Sequence, residues 1–232
     1  MDAVLKAAIH DAEALIAGGM DGYVVENFGD APFYPEQVGP ETVAAMARAL
    51  ALLPRGDVLV GCNVLRNDAQ AALGLASAFD LDFIRVNVHI GAALTDQGII
   101  EGRAATTLRT RARLGARAAL FADVDVKHAS PLGEPRPLGL LAEETAARGR
   151  ADALIVSGSQ TGAPTSITDM QAVKAACPEV PLLIGSGMTL DGAAEALAIA
   201  DGAIVGTALK RGGQVYAPVC AERVAAFVGA CR

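Results

Sequence analysis

Short apolar runs alternate along this chain with longer stretches whose apolar residues recur at helical spacing. Over 3–17, Val4, Ala7, Ala8, Ala12, Leu15 and Ile16 fall on one face of a helix, and Gly18-Gly19 stop it. Apolar runs at 22–26, 58–65, 83–89, 118–127, 153–157, 182–185 and 203–207 then read as strands. Helical patterns follow them at 40–53, 69–79, 101–114, 138–148, 167–176, 191–199 and 221–230. Strand–helix alternation at steps of about 20–36 residues predicts an α/β fold with a parallel sheet, either a TIM (β/α)8-type barrel or a doubly wound sheet. Acids, amides and small residues end nearly every strand, which selects the barrel, because an open sheet gathers them at one switch point. The pattern opens on a helix and supplies seven strands, so the predicted barrel lacks its first strand. Either that strand lies upstream of Met1 or the barrel closes differently. Two unpaired edges would be an aggregation hazard unless covered, and a homo-oligomer is expected.

The same periodicity picks out candidate chemistry. In 118–130, AALFADVDVKHAS, period 2 puts Leu120, Ala122, Val124 and Val126 on one face and Phe121, Asp123, Asp125 and Lys127 on the other. Two acids and a lysine on one face are costly to bury unless paired or solvated. They line a site or form a structural ion pair. In 83–89, Ile84, Val86 and Val88 suit the helix side, which leaves Arg85, Asn87 and His89 inward. Arg85 then balances Asp123 or Asp125 and frees Lys127 to act at the rim. The first strand's loop adds Glu26, Asn27 and Asp30, and the second adds Asn63 and Arg66, with Asp68 read as a helix cap. Three later turns, Ser157-Gly158 with Thr161-Gly162, Gly185-Ser186-Gly187, and Gly206-Thr207, let backbone N–H groups approach a phosphate. Counting an absent first strand makes the strands before them 6, 7 and 8, and barrel phosphate sites usually follow strands 7 and 8.

Composition narrows the function classes. The hydrophobic share is 52% but aromatics are only 4%, so the core is aliphatic, as suits helices on parallel strands. A net charge of -7 without a basic stripe argues against a nucleic-acid polymer as partner. Cys62, Cys177, Cys220 and Cys231 show no zinc or disulfide spacing. The amphipathic N-terminus does not read as a signal peptide, and no apolar run is long enough for membrane insertion. A soluble, cytoplasmic protein is expected.

The blocks ENFGDAPF (26–33), GCNVLRNDAQAAL (61–73), FIRVNVHIGAALTDQGIIEG (83–102), ADVDVKHASPL (122–132), ALIVSGSQTG (153–162), IGSGM (184–188) and VGTALKRGG (205–213) resemble the BtpA/SgcQ family across nearly the whole chain. The resemblance implies a single BtpA-like domain over 1–232, a TIM-type barrel of the ribulose-phosphate-binding kind. Members are named for a role in photosystem I accumulation in cyanobacteria, and others occur in organisms without photosynthesis, beside sugar-uptake genes. Similar proteins begin with a strand containing a Met-x-His-Leu type segment and a Pro-rich loop, and both are absent here.

The first expectation is an enzyme of isomerase or lyase type acting on a phosphorylated sugar or nucleotide-like metabolite. Its phosphate would sit on the glycine turns, with Asp123, Asp125 and Lys127 near the reacting carbons. Two neighbouring acids raise a lysine's pKa, which favours proton transfer over an imine. In a variant, Glu26, Asp123, Asp125 or His89 holds Mg2+ or Mn2+. The alternative is a non-catalytic assembly or regulatory factor.

Overall fold

The computed structural model describes residues 1–126, 129–158 and 165–231. In chain order the strands are β1 (Gly22–Glu26), β2 (Leu59–Asn63), β3 (Phe83–Val86), β4 (Ala92–Thr95), β5 (Gly98–Glu101), β6 (Ala119–Asp125), β7 (Ala129–Pro131), β8 (Ala153–Val156), β9 (Leu182–Ile184) and β10 (Gly202–Ala203). The α-helices are α1 (Asp2–Ala17), α2 (Pro40–Leu50), α3 (Ala69–Phe79), α4 (Ala104–Leu114), α5 (Leu138–Glu143), α6 (Ile167–Ala176), α7 (Ala193–Leu197) and α8 (Ala221–Cys231); α5 continues as a π-helical turn, Glu144–Arg148.

Seven parallel strands form one sheet in the order β1-β2-β3-β6-β8-β9-β10. Alternation sends Ile84, Val86, Leu120, Ala122, Leu154 and Val156 into the aliphatic core under the helices. It turns Phe83, Arg85, Phe121, Asp123 and Ile155 to the opposite face. There the Phe83 and Phe121 rings stack with centroids 4.6 Å apart and floor the interior. The sheet is rolled. A side chain at Gly185, just past β9, would lie 3.1 Å from Arg85 Nη2 on β3. With β6 and β8 between them, a flat sheet would separate those strands by roughly 14 Å.

Aspartates fasten the N-terminal ends of the strands. Asp82, Asp152 and Asp201 each donate a backbone N–H to the strand before (Val60, Leu120 and Leu182 O, all 2.8 Å). Each carboxylate then accepts that same residue's N–H, at 2.7, 2.7 and 2.8 Å. Three repeats of one two-point clasp hold the register while the opposite ends of the strands carry the polar groups.

β1 and β10 stand at the two edges, with α1 and α8 packed together outside them. Between the edges lies a cavity of about 820 Å³, walled partly by Tyr23, Val25, Ile204 and Val205. The last strand is shorter than the expected 203–207, because Thr207–Leu209 tightens into a 3-10 turn.

The antiparallel sheet β5-β4-β7 was not anticipated. It joins the segment after β3 to the segment after β6, over a small cluster of Val88, Ile100 and Val126. Gly98, at φ 98°, closes the β4–β5 turn, where Thr95 Oγ1 donates to Gly98 O at 2.9 Å. The hairpin delays the expected helix 101–114 until Ala104, and the expected strand 83–89 ends at Val86.

Candidate functional site

Above the aromatic floor the interior is organised by one ion pair. The Asp123 carboxylate accepts from Arg85 Nε at 3.0 Å and Nη2 at 2.9 Å, Asn87 Nδ2 at 3.0 Å and Ser157 Oγ at 3.3 Å. Arg85 Nη1 lies 3.7 Å from Glu26 Oε1, which accepts from Asn63 Nδ2 at 3.1 Å. Five elements thus deliver Glu26, Asn63, Arg85, Asp123 and Ser157 to one network. Burial alone would lower the Arg85 pKa, but Asp123's charge and hydrogen bonds, with Glu26, raise it on balance, so the guanidinium stays ionised. Arg66, also buried, shifts downward because desolvation outweighs the nearby carboxylates of Asp123, Asp96 and Glu26.

The Asp123 oxygens are occupied by four donors, so this carboxylate holds Arg85 and Asn87 in place, and of the two acids expected to balance Arg85 it is Asp123 that does so. Asp125 differs. A register shift between Asp123 and Asp125 opposite β8 breaks the expected alternation. Asp125 lies at the rim, where partial desolvation of its carboxyl first, then the charges of Asp169 and Asp123, push its pKa upward.

The glycine turns share the cavity with Glu26 and Arg85: its wall includes Gly185, Ser186, Gly187, Gly206, Thr207 and Lys210. Gly187 adopts φ 74°, a conformation that favours glycine. A Cβ on Gly185 would lie 2.5 Å from both Ile155 Cγ2 and Ser157 Oγ, so only glycine fits beside Arg85. The buried polar atoms without a hydrogen-bond partner among the described residues include Ser186 Oγ, in the glycine turn, and Asn87 Oδ1, beside Asp123. Buried polar groups are rarely left so, and a ligand is one way to satisfy them.

A profile of the BtpA family matches residues 1–232. The chain belongs to the BtpA family. It is 45% identical over 231 residues to the Photosystem I biogenesis protein BtpA of Synechocystis sp., covering 99% of this chain and 80% of that protein. It is 33% identical over 237 residues to an uncharacterised mitochondrial protein of Caenorhabditis elegans, covering 98% of this chain and 84% of that one. Among solved structures, a phosphoribosyl anthranilate isomerase from Thermus thermophilus matches with TM-score 0.58 and 18% identity, over 96% of this chain and 92% of that one. A thiamine phosphate pyrophosphorylase from Pyrococcus furiosus matches with TM-score 0.60 and 14% identity, over 98% and 88%. At such identities the likeness is one of fold, and it places this BtpA-family chain among TIM-type α/β proteins.

Several sequence expectations need correction. His89 does not join the Arg85 row: its Nε2 is 2.8 Å from Gly149 O, because alternation no longer applies past Val86. Asn27 is taken up by the Leu65 backbone, accepting from Leu65 N at 2.7 Å and donating to Leu65 O at 3.2 Å. Asp30 accepts from Asn27 and from Thr42 Oγ1 at 3.1 Å, which staples the loop to α2. Ser157, expected on a phosphate, instead donates to Asp123. Gly158 is buried, while Lys127, Thr161 and Gly162 lie outside the described residues. Among the described residues no three His, Cys, Asp or Glu side chains converge as metal ligands, and Arg85 pairs with both Asp123 and Glu26. Asp68 caps α3 as expected, accepting from Ala71 N at 2.9 Å. Two participants were not foreseen. Thr165 Oγ1 donates to Ser186 O at 3.1 Å and braces the glycine turn. Asp96, in the β4–β5 turn, contributes its charge at Arg66.

Proposed function

We propose that this BtpA-family chain is an enzyme of isomerase or lyase type acting on a phosphorylated sugar or nucleotide-like small molecule. One observation carries the reading: Ser186 Oγ and Asn87 Oδ1 are buried and unpartnered among the described residues. A phosphate oxygen would accept from Ser186 Oγ and from backbone N–H groups at 185–187 and 206–207, with Lys210 on the cavity wall adding positive charge. A substrate hydroxyl would donate to Asn87 Oδ1. Arg85, kept cationic by Asp123 and Glu26, would stabilise negative charge developing on a carbonyl oxygen.

Asp125 is the proposed proton carrier, since its raised pKa suits a carboxyl that takes a proton from carbon and returns it. Lys127, two residues on in the sequence, is proposed as its partner. Closure of the barrel belongs to the same reading: an eighth strand in the cavity between β1 and β10 would pair both edges. So do a cytoplasmic setting, supported by free thiols at Cys62 and Cys177, and a homo-oligomeric state. Among the described residues no helix is long and apolar enough to cross a membrane.

The test is incubation with a panel of sugar phosphates in D2O, followed by proton NMR. Solvent deuterium should enter at a substrate carbon, and Asp125→Asn should abolish the exchange. Borohydride trapping without an adduct would remove the imine alternative. The 45% identity to a photosystem I biogenesis protein favours a second reading, a non-catalytic assembly role. Stabilisation of the chain by no member of the panel would favour it.

A further inference from the structure

The loops that leave the two edge strands of the rolled sheet meet in a pair of aromatic rings. Phe28 opens the 3-10 turn Phe28–Asp30, directly after β1, and Tyr216 lies in the segment that follows the turn after β10. Their ring centroids are 6.0 Å apart and the planes are inclined by 45°. Phe28 belongs to the wall of the 820 Å³ cavity, with Glu26, the glycine turns, Lys210 and Val215, the neighbour of Tyr216. The strands of this sheet run parallel, so the aromatic pair and the glycine turns stand at the same, carboxyl end of their strands.

The rings do little to cover each other: Tyr216 is 79% exposed and Phe28 37%. A pair that only pinned two loops together would bury its faces, since an aromatic side chain stabilises through the area it removes from water. Both loops are fixed by other groups. Asn27 holds the first to Leu65, and Asp30 holds it to Thr42. In the second, Lys210 and Val219 form an antiparallel bridge and Arg211 N donates to Pro218 O at 2.9 Å. Lys210 Nζ donates to Val215 O at 2.6 Å, which ties the cation on the cavity wall to the loop that carries Tyr216. Aromatic rings are also scarce in this chain, with six Phe, three Tyr and no Trp, yet Phe28, Phe33 and Tyr34 fall together in the loop after β1. An open ring on a fixed loop loses little freedom when a ligand covers it.

We propose that Phe28 and Tyr216 form a stacking platform for a planar heteroaromatic ring, so that the ligand of this cavity is of the nucleoside monophosphate class and not a simple sugar phosphate. The proposal rests on the phosphate seat argued above and names what the other end of the same molecule carries. The ring stacks on Tyr216 and Phe28 at the mouth, the phosphate lies on the glycine turns, and the pentose joins them. Stacking tolerates any base, because each has a π face, so the platform selects the class of ligand and not the base. The cavity volume falls in the range of about 300–1,000 Å³ usual for small-molecule sites.

The experiment is calorimetric titration of the full chain with adenosine 5′-monophosphate, ribose 5-phosphate and adenosine. The nucleotide should bind roughly tenfold or more tightly than ribose 5-phosphate. Tyr216→Ala, at an exposed side chain, should remove that advantage and leave the affinity for ribose 5-phosphate unchanged, whereas Tyr216→Phe should keep it. Phe28→Leu, which retains an apolar group but no π face, should lose part of it. Equal affinities for the nucleotide and ribose 5-phosphate, or an advantage that survives in Tyr216→Ala/Phe28→Leu, would overturn the platform and leave the phosphate seat standing. Adenosine binding as tightly as its monophosphate, with the same loss in Tyr216→Ala, would uphold the platform and overturn the phosphate seat. Heat from none of the three ligands would overturn both.

Discussion

Replacing Asp123 with Asn tests the network on which the interior rests. The substitution keeps the shape of the side chain and one acceptor oxygen, but it removes the charge that Arg85 meets at 2.9 and 3.0 Å. The remaining carboxylate, Glu26, is 3.7 Å from the guanidinium. Since the Arg85 and Asp123 side chains are 5% and 0% exposed, water cannot take over the solvation. Breaking a buried pair on one side costs about 3–5 kcal/mol, because the surviving ion is left uncompensated. For a domain of this size about 1 kcal/mol corresponds to about 2–4 °C in Tm, so Asp123→Asn should melt roughly 6–20 °C lower. The assay is thermal and urea unfolding of the single variants and of Arg85→Met/Asp123→Leu. The double variant should recover most of the loss, since exchanging a whole buried pair for apolar groups is often neutral or stabilising. An Asp123→Asn protein that unfolds at the same midpoint as the parent would refute the reasoning.

Asp125→Asn should act in the opposite direction. With its folded pKa raised, Asp125 contributes stability that is present below its ordinary value of 3.8 and lost as pH rises through the folded value. The Asn variant should therefore melt higher than the parent near neutral pH, an advantage that disappears in acid, and a Tm difference independent of pH would contradict the assignment. His89, whose pKa is lowered by burial, works the other way: stability present above its ordinary value of 6.5 should fall as pH drops through the folded value. His89→Gln should flatten that part of the pH–Tm curve. Gly187→Ala forces a φ of 74° on a residue with a Cβ, at a cost of about 1–2 kcal/mol, and should weaken phosphate-ester binding with it, as read by calorimetry.

What the sequence revealed followed from local causes. The start of α3 could be read to the residue because Asp68 marks it chemically. The pairing of Arg85 with Asp123 followed from alternation on two neighbouring strands. Non-local causes were hidden. β4 pairs with β7, more than thirty residues later, and neither strand alternates clearly enough to declare itself. The carbonyl that holds His89 belongs to Gly149, sixty residues away. Ser157 reads as a phosphate ligand beside its glycine, yet its hydroxyl lies 3.3 Å from Asp123 on β6, the strand that pairs with β8. The clasps at Asp82, Asp152 and Asp201 are carried by an aspartate immediately before an apolar run, but each works only through a backbone partner on another strand.

The most direct test of the central claim is calorimetric titration with a pentose 5-phosphate and, separately, with the free pentose, using the parent chain and Ser186→Ala. The account predicts that the phosphorylated sugar binds and the free sugar does not, and that Ser186→Ala weakens binding by roughly tenfold. Equal heats from the two sugars, or an affinity unchanged by Ser186→Ala, would contradict a phosphate seat on the glycine turns.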